Sequence, residues 1–229
     1  MRSVFRAAAR GVLSPTRMVW LPGAFHSPED FLAAGFDAQV RVRGLPLDLE
    51  FVDVEPRHLG DRSPLEQLQR DIVAPARALG CRSVWLAGIS LGGFIVLDYA
   101  ATHSRDWDGL CLLAPYLGNR MLIAEIAGAT DLAAWLPDPL ANFDEERRIW
   151  RFIQGRPAEG RPAEGRPADG ENTDSRPIHL GYGRADRFAP AHELMAKSLP
   201  PKAVDVVPGG HDWQTWSTLW GRFLDSTFT

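Results

Sequence analysis

The feature that most constrains the fold is a repeated alternation of short apolar runs with longer amphipathic stretches. Runs of aliphatic and β-branched residues predict strands, and apolar residues recurring every three or four positions predict helices. Six strands are predicted, at residues 18–21, 49–54, 83–87, 109–114, 178–182 and 203–207. Helices are predicted between or after them, starting at residue 27 and covering residues 63–80, 91–102, 190–198 and 215–228. Right-handed crossovers between such strands give an α/β fold with a doubly wound, mainly parallel sheet of about six strands.

Composition excludes several classes of protein. The 229 residues are 45% hydrophobic and 24% charged, with a formal net charge of −4, so nothing in the charge balance favours nucleic acid or an anionic membrane as a partner. No apolar run approaches the roughly 20 residues that span a bilayer. Two cysteines, Cys81 and Cys111, cannot form a disulfide framework or a cysteine-based zinc site alone. We therefore expect neither nucleic acid nor a membrane as a partner, and the oligomeric state stays open.

The chain reads as one domain at residues 17–229, preceded by an extension at residues 1–16. Arg6 and Arg10 interrupt the apolar stretch that a secretory signal would need. We therefore expect a frayed N-terminal extension and a cytoplasmic protein.

Residues 118–176 form an insert before the strand predicted at 178–182. Its helical patterns within 119–154 predict helices that either form a lid over a site or pack on the body of the domain. Residues 155–176 begin with three tandem pentapeptides, GRPAE, GRPAE and GRPAD, which carry no apolar side chain larger than alanine or proline. Such a segment buries too little surface to offset its ordering entropy, so we expect a disordered loop without a catalytic role.

The most informative motif is the hexapeptide GISLGG at residues 88–93, between a predicted strand and a predicted helix. This is the context of a nucleophile elbow, in which a serine occupies a strained turn and its neighbours two positions away must be small. Gly88 and Gly92 meet that requirement around Ser90. The N–H of Leu91 would then lie at a helix N-terminus, where it can stabilise a developing negative charge.

With this elbow the sequence resembles the α/β-hydrolase family in a minimal form. The resemblance implies a nucleophile, an acid and a histidine in that order, the last two on loops after later strands. Asp186 in GRAD follows the strand at 178–182, and His211 in GGHDW follows the strand at 203–207. Asp212 is a rival for the acid, but adjacent residues seldom orient one another's side chains well. We therefore predict Ser90, Asp186 and His211 as the catalytic residues.

The resemblance also implies an oxyanion hole built from two backbone N–H groups. Leu91 supplies one, and Ala24, or with less support Phe25, supplies the other from the loop after the first predicted strand. Pro22 departs from the His-Gly sequence that is frequent in the family at this loop. Residues expected to line the pocket are Phe25, His26, Tyr116, Leu117 and Trp213.

These residues predict a serine hydrolase that cleaves carboxylic esters or thioesters of a small to medium acyl group. The acyl group would be carried on Ser90 and released by water, without a metal or organic cofactor. The HDW sequence at 211–213 is similar to that of esterase-D-like esterases, and a serine nucleophile argues against epoxide or haloalkane chemistry. Two alternatives stay open: an acyltransferase with the same triad, and a hydrolase-like protein that binds a ligand without turnover.

Overall fold

The computed structural model describes residues 1–9, 11–54, 63–129, 132–136, 144–155 and 176–228. The strands are β1 (Ser3–Arg6), β2 (Thr16–Leu21), β3 (Leu47–Val52), β4 (Ser83–Ile89), β5 (Gly109–Leu113), β6 (Ile178–Gly183) and β7 (Val204–Val207). The α-helices are α1 (Pro28–Ala33), α2 (Phe36–Val42), α3 (Ser63–Leu68), α4 (Ala74–Ala78), α5 (Leu91–Thr102), α6 (Arg120–Gly128), α7 (Glu145–Gln154), α8 (Ala189–Ala196) and α9 (Trp213–Thr227).

The strands form one seven-stranded sheet in the order β1-β3-β2-β4-β5-β6-β7. From β3 to β7 all neighbours are parallel, and only β1 pairs antiparallel, with β3. One hydrophobic core lies between the sheet and helices α3 to α8, and a second lies between the opposite face and α1, α2 and α9. The doubly wound, mainly parallel sheet predicted from the sequence is confirmed.

This topology determines where a site can form. In a parallel sheet the carboxyl ends of the strands lie along one edge, and the loops that follow them meet there. The segments that follow β2, β4, β6 and β7 contain the sequence-predicted residues Ala24, Ser90, Asp186 and His211, respectively. The fold therefore brings four separate parts of the sequence to the same edge of the sheet.

The prediction of a frayed extension at residues 1–16 is wrong, because β1 adds a seventh strand to the edge of the sheet. The Oγ of Ser3 donates a hydrogen bond of 2.8 Å to Glu50. Glu50 also forms a buried ion pair of 2.9 Å with Arg17, whose guanidinium lies 4.7 Å from the centre of the Phe5 ring. Polar partners and a cation–π contact thus hold a four-residue strand that has too little apolar character to be recognised in the sequence.

The helix predicted at residues 63–80 is interrupted, as a proline at position 75 leads one to expect. It consists of α3, a π-helical turn at Gln69–Val73 and α4, in which Pro75 lies in the first turn. Val73 and Ala74 keep right-handed helical backbone angles, so the chain stays helical up to Pro75, which has no N–H to donate to the helix. The interruption therefore lies just before Pro75.

The helices of the insert pack on the body of the domain. On α6 the side chains of Leu122 and Ile126 are buried, and on α7 those of Ile149 and Ile153 are buried in the same core. The indole N–H of Trp150 donates a buried hydrogen bond of 2.7 Å to the carbonyl of Leu117. A lid function for residues 119–154 stays a prediction. The expected disordered loop at 155–176 falls almost entirely outside the described residues, since only its first and last residues are included.

Across the part of the chain that the structure describes, none of the helices has both the length and the apolar character needed to cross a membrane.

Candidate active site

Ser90 stands in a sharp turn between β4 and α5 with a φ of 52° and a ψ of −114°. Such a backbone conformation is strained for a residue with a side chain, and it persists only where the surroundings enforce it. Here the N–H of Ser90 donates to the carbonyl of Leu113 at 3.1 Å, and its own carbonyl accepts from Tyr116 at 2.8 Å. Both backbone groups of Ser90 are therefore held by the end of β5 and the loop that follows it.

Close packing around the turn explains the glycines of the hexapeptide. A Cβ on Gly88 would lie 2.3 Å from the backbone carbon of Gly92, and one on Gly92 would lie 2.1 Å from the carbonyl oxygen of Leu21. A Cβ on Gly93 would lie 2.6 Å from the Pro115 side chain. Because no side chain fits at these positions, α5 can start directly beneath the end of β2, with Ser90 at the edge of the sheet.

His211 connects Ser90 to Asp186. Its Nε2 lies 2.9 Å from the Oγ of Ser90, and its Nδ1 lies 2.7 Å from the Oδ2 of Asp186. The three residues come from the loops after β4, β6 and β7, far apart in the sequence. The structure thus brings together the serine, the histidine and the acid predicted from the sequence.

The charge of Asp186 defines the tautomer of His211. Burial raises the pKa of Asp186, but hydrogen bonds from His211 and from the N–H of Phe188 (2.8 Å) outweigh it, so that the pKa lies below its ordinary value. An ionised carboxylate only accepts hydrogen bonds, so Nδ1 of His211 must carry the proton. Nε2 is then an acceptor, and the 2.9 Å contact is one in which the hydroxyl of Ser90 donates to the imidazole.

The acid loop and the histidine loop support each other through their backbones. The N–H groups of Arg184 and Ala185 donate to the carbonyls of Val207 and Gly209, both at 2.9 Å. Gly209 has a φ of 125°, a conformation that glycine adopts readily and that turns the chain back before His211. These bonds fix the distance between the carboxylate and the imidazole.

Asp212, the rival candidate for the acid, has a different role. Its Oδ1 accepts from the N–H of Thr215 at 2.9 Å, and its Oδ2 accepts from the N–H of Gly210 at 3.2 Å. Asp212 is therefore the N-cap of α9. It orients the helix that follows the histidine loop, whereas Asp186 contacts the imidazole.

The two predicted oxyanion donors lie on the segments that flank Ser90. Leu91 is the first residue of α5, so its N–H has no partner inside the helix and points out of the helix N-terminus. Ala24 is exposed and follows Gly23, where an added Cβ would lie 3.4 Å from the Cβ of Ser90. The loop after β2 therefore runs directly beside Ser90. The role of the Leu91 and Ala24 N–H groups as oxyanion donors stays a prediction.

Aromatic rings surround the histidine. Phe188 and Trp216 meet the His211 ring edge-on, with ring centres 5.2 Å and 5.0 Å away. Trp216 also contacts Trp213 at 5.2 Å, and His26 lies 5.0 Å from Trp213. His26 and Trp213 were predicted to line the pocket, whereas Phe188 and Trp216 were missed, although each stands within five residues of a predicted catalytic residue in the sequence.

The remaining predicted pocket residues differ in their exposure. Phe25 is 93% exposed at the tip of the loop after β2. Tyr116 packs on the ring of Phe188 at 5.7 Å, and its hydroxyl donates to Glu146 on α7 at 2.9 Å. Leu117 is only 1% exposed and belongs to the hydrophobic core. Of the three, only Tyr116 combines partial burial with a contact to a ring that touches His211.

A second histidine lies beneath the site. His192 on α8 is fully buried, and its Nε2 lies 2.9 Å from the carbonyl oxygen of Pro115, the residue that packs against Gly93 beside Ser90. Burial lowers the pKa of His192 to about 4. The ring is therefore neutral near pH 7, with its Nε2 proton donated to the carbonyl.

The described residues contain no group of three or more histidine, cysteine or acidic side chains arranged to hold a metal ion. The groups present at the site are a hydroxyl, an imidazole, a carboxylate and a helix N-terminus. This set is suited to acyl transfer through a serine.

Comparison with known proteins agrees with the fold. The sequence matches the alpha/beta hydrolase family over residues 18–217, and no protein with a curated description matches it. Est1E from Butyrivibrio proteoclasticus has a similar structure at 16% identity, with a TM-score of 0.63 over 98% of this chain and 93% of that chain.

Two structures from Staphylococcus aureus are similar in the same way. The fluorophosphonate-binding serine hydrolase F is 12% identical, with a TM-score of 0.62 over 96% of this chain and 87% of that one. The S-formylglutathione hydrolase FrmB is 12% identical, with a TM-score of 0.59 over 95% of this chain and 83% of that one. Because the family match covers residues 18–217, most of the sequence, this chain belongs to the alpha/beta hydrolase family.

Proposed function

We propose that the protein is a serine esterase that cleaves carboxylic esters or thioesters of small to medium acyl groups through an acyl-enzyme on Ser90. The observation that carries this proposal is the position of His211 between Ser90 and Asp186, at 2.9 Å and 2.7 Å. A protein that only binds a ligand has no need for a serine, a histidine and a buried carboxylate in this order. The family match and the two hydrolases named among the similar structures support hydrolysis.

The reaction begins with the attack of Ser90 Oγ on the carbonyl carbon of the ester. Nε2 of His211 accepts the hydroxyl proton as the bond forms, because it is the unprotonated nitrogen of the ring. The carboxylate of Asp186 holds the proton on Nδ1 and stabilises the imidazolium. The alcohol or thiol then leaves with the proton from Nε2, and the acyl group stays on Ser90.

Hydrolysis of the acyl-enzyme uses the same groups. Nε2 takes a proton from water as the water attacks the acyl carbonyl, and it returns that proton to Ser90 when the acid is released. In both steps the N–H groups of Leu91 and Ala24 donate to the negatively charged carbonyl oxygen. The loss of one such donor typically raises the barrier by about 3 kcal/mol.

The test is the hydrolysis of p-nitrophenyl butyrate and of a butyryl thioester by the wild type, by Ser90→Ala and by Ser226→Ala. Ser226 is an exposed serine on α9 and serves as the matched control. We expect Ser90→Ala to lower kcat by at least about 10⁴-fold and Ser226→Ala to leave it unchanged. Acid quenching followed by peptide mass spectrometry should detect the butyryl group on the peptide that contains Ser90.

Added alcohols or amines separate hydrolysis from acyl transfer. Release of butyric acid at the same rate with and without an acceptor supports hydrolysis, whereas butyrylation of the acceptor at the expense of the acid identifies an acyltransferase. Folded wild type that neither turns over nor becomes acylated would contradict the proposal and favour a ligand-binding protein.

A further inference from the structure

The loop after β2 places an imidazole next to the serine. The N–H of His26 donates to the carbonyl of Gly23 at 3.2 Å, which closes a four-residue turn and folds the His26 ring back over Gly23. A Cβ on Gly23 would lie 3.0 Å from Nδ1 of His26 and 3.4 Å from the Cβ of Ser90. The imidazole of His26 and the side chain of Ser90 therefore both lie next to Gly23.

The ring of His26 is held in this position by α9. Its centre lies 5.0 Å from the ring of Trp213 and 5.8 Å from the ring of Trp216. Trp216 in turn meets the ring of His211 edge-on. His26 is thus part of the aromatic wall that surrounds the catalytic histidine.

Nδ1 of His26 is buried and has no hydrogen-bond partner among the described residues. Burial lowers the pKa of His26, an effect that the nearby His211 adds to and the carboxylate of Asp30 opposes. The ring is therefore neutral near pH 7. A buried polar atom without a partner costs free energy, which a ligand can recover by hydrogen bonding to it.

We propose that His26 is a specificity-determining residue that binds a hydroxyl group of the substrate close to the reacting carbonyl carbon. The inference rests on the proposed esterase function and adds the class of substrate. Nδ1 of His26 and the Cβ of Ser90 both lie within 3.4 Å of an added Cβ on Gly23. The hydroxyl that binds Nδ1 must therefore lie near the carbonyl that Ser90 attacks.

A hydroxyl fits this atom better than other polar groups do. A neutral imidazole gives a carboxylate or an ammonium group no opposite charge. A carbonyl oxygen would pair only with the tautomer that has its proton on Nδ1. A hydroxyl both donates and accepts, so it pairs with either tautomer.

The experiment measures kcat/KM for two pairs of esters in which a hydroxyl replaces a methyl group. Ethyl β-hydroxybutyrate against ethyl isovalerate places the hydroxyl on the acyl group, and hydroxyethyl butyrate against propyl butyrate places it on the leaving alcohol. We expect the wild type to prefer the hydroxyl ester by about tenfold in one of the two pairs. That pair identifies the side of the ester that contacts His26.

His26→Phe retains a ring against the two tryptophans but removes Nδ1, and should reduce the preference to about one. His26→Asn retains a polar atom near the position of Nδ1, and should restore it. The matched control is His103→Phe at the end of α5, where the ring stacks on Tyr99 at 4.4 Å and its Nδ1 is also buried without a partner in the described chain. This change should leave the preference as in the wild type.

Three results would overturn the inference while leaving the esterase function intact: no preference in the wild type, the same preference in His26→Phe, or loss of the preference in His26→Asn as well. If His26→Asn also loses the preference, the preference depends on the packing of the ring and not on the polar atom. If none of the four esters is hydrolysed by the folded wild type, the proposed function fails and this inference fails with it.

Discussion

Two turns that flank the site each contain a non-glycine residue with positive φ, and they differ in how that strain is maintained. In the turn between β4 and α5, Ser90 (φ 52°) has both backbone groups hydrogen-bonded and glycines packed beneath it. In the turn at residues 23–26, Phe25 (φ 65°) is 93% exposed, and the closing bond is the one from His26 to Gly23.

The more rigidly held turn contains the proposed nucleophile, and the more exposed turn contains the residue proposed to select the substrate. A strained serine is useful only if its Oγ stays within hydrogen-bonding distance of the imidazole, and buried packing provides that constancy. A loop that only contacts the substrate needs fewer hydrogen bonds and less buried packing to hold it in place. The exposed turn at residues 23–26 has fewer of both than the Ser90 turn has. Buried groups should therefore give large effects when changed, and their exposed neighbours small ones.

We expect the largest difference in kcat between variants of two acids, Asp186 in the acid loop and Asp212 in the histidine loop. Asp186→Asn removes the carboxylate that holds the proton on Nδ1 of His211, and we expect kcat to fall by about 10⁴-fold. Asp212→Asn retains an N-cap for α9, and kcat should change by less than about threefold. Steady-state hydrolysis of p-nitrophenyl butyrate measures both, and equal losses in the two variants would contradict the assignment of the acid.

Glycine substitutions test the packing beneath Ser90. In Gly92→Ala the new Cβ would lie 2.1 Å from the backbone oxygen of Leu21, and we expect a loss of about 3 kcal/mol in the free energy of unfolding. Gly128→Ala on α6 is the matched control, because no atom lies within 4 Å of its added Cβ. It should be neutral or stabilising by up to about 1 kcal/mol. Urea unfolding measures both, and a neutral Gly92→Ala would show that the packing yields.

The free energy of unfolding should also depend on pH through His192, which is hydrogen-bonded to the loop beside Ser90. Burial lowers the pKa of His192 from 6.5 to about 4, so between these values the unfolded chain binds a proton that the folded chain does not. The free energy of unfolding therefore falls as the pH drops through this interval. His192→Gln keeps a donor for the carbonyl of Pro115 but does not titrate. It should lose about 2 kcal/mol less than the wild type between about pH 7 and about pH 5. Identical losses in urea unfolding would contradict the burial effect.

The smallest expected effect concerns Phe25. Its side chain is exposed, so truncation removes little packing, and the comparison of Phe25→Gly with Phe25→Ala isolates the strain of its backbone. We expect the glycine variant to be more stable by about 1 kcal/mol, since glycine adopts positive φ without steric cost. Thermal unfolding measures the difference, and a more stable alanine variant would show that the turn relaxes when the ring is removed.

Much of the fold follows from patterns in the sequence. β2 to β7 are mainly apolar segments of four to seven residues, and all were predicted within two residues of their observed starts. The juxtaposition of Ser90, Asp186 and His211 could be predicted because each lies within four residues of the end of such a strand, in the family's order. β1 could not, because only two of its four residues, Val4 and Phe5, are apolar and its partners Glu50 and Arg17 lie elsewhere in the sequence.

The walls of the site were harder to predict for a related reason. Trp216 on α9 and Phe188 in the acid loop both contact His211, and His192 reaches Pro115 across 77 positions of sequence. Such contacts depend on the packing of whole elements. Local patterns indicate that these residues are apolar or helical but not which side chains they face.

The central claim is that Ser90 is an activated nucleophile, and covalent labelling by a fluorophosphonate probe, followed by intact-protein mass spectrometry, tests it most directly. We expect one label on the wild type, located at Ser90, and none on Ser90→Ala or His211→Ala at the same concentration and time. Labelling that persists in Ser90→Ala, or a folded wild type that stays unlabelled, would contradict the claim.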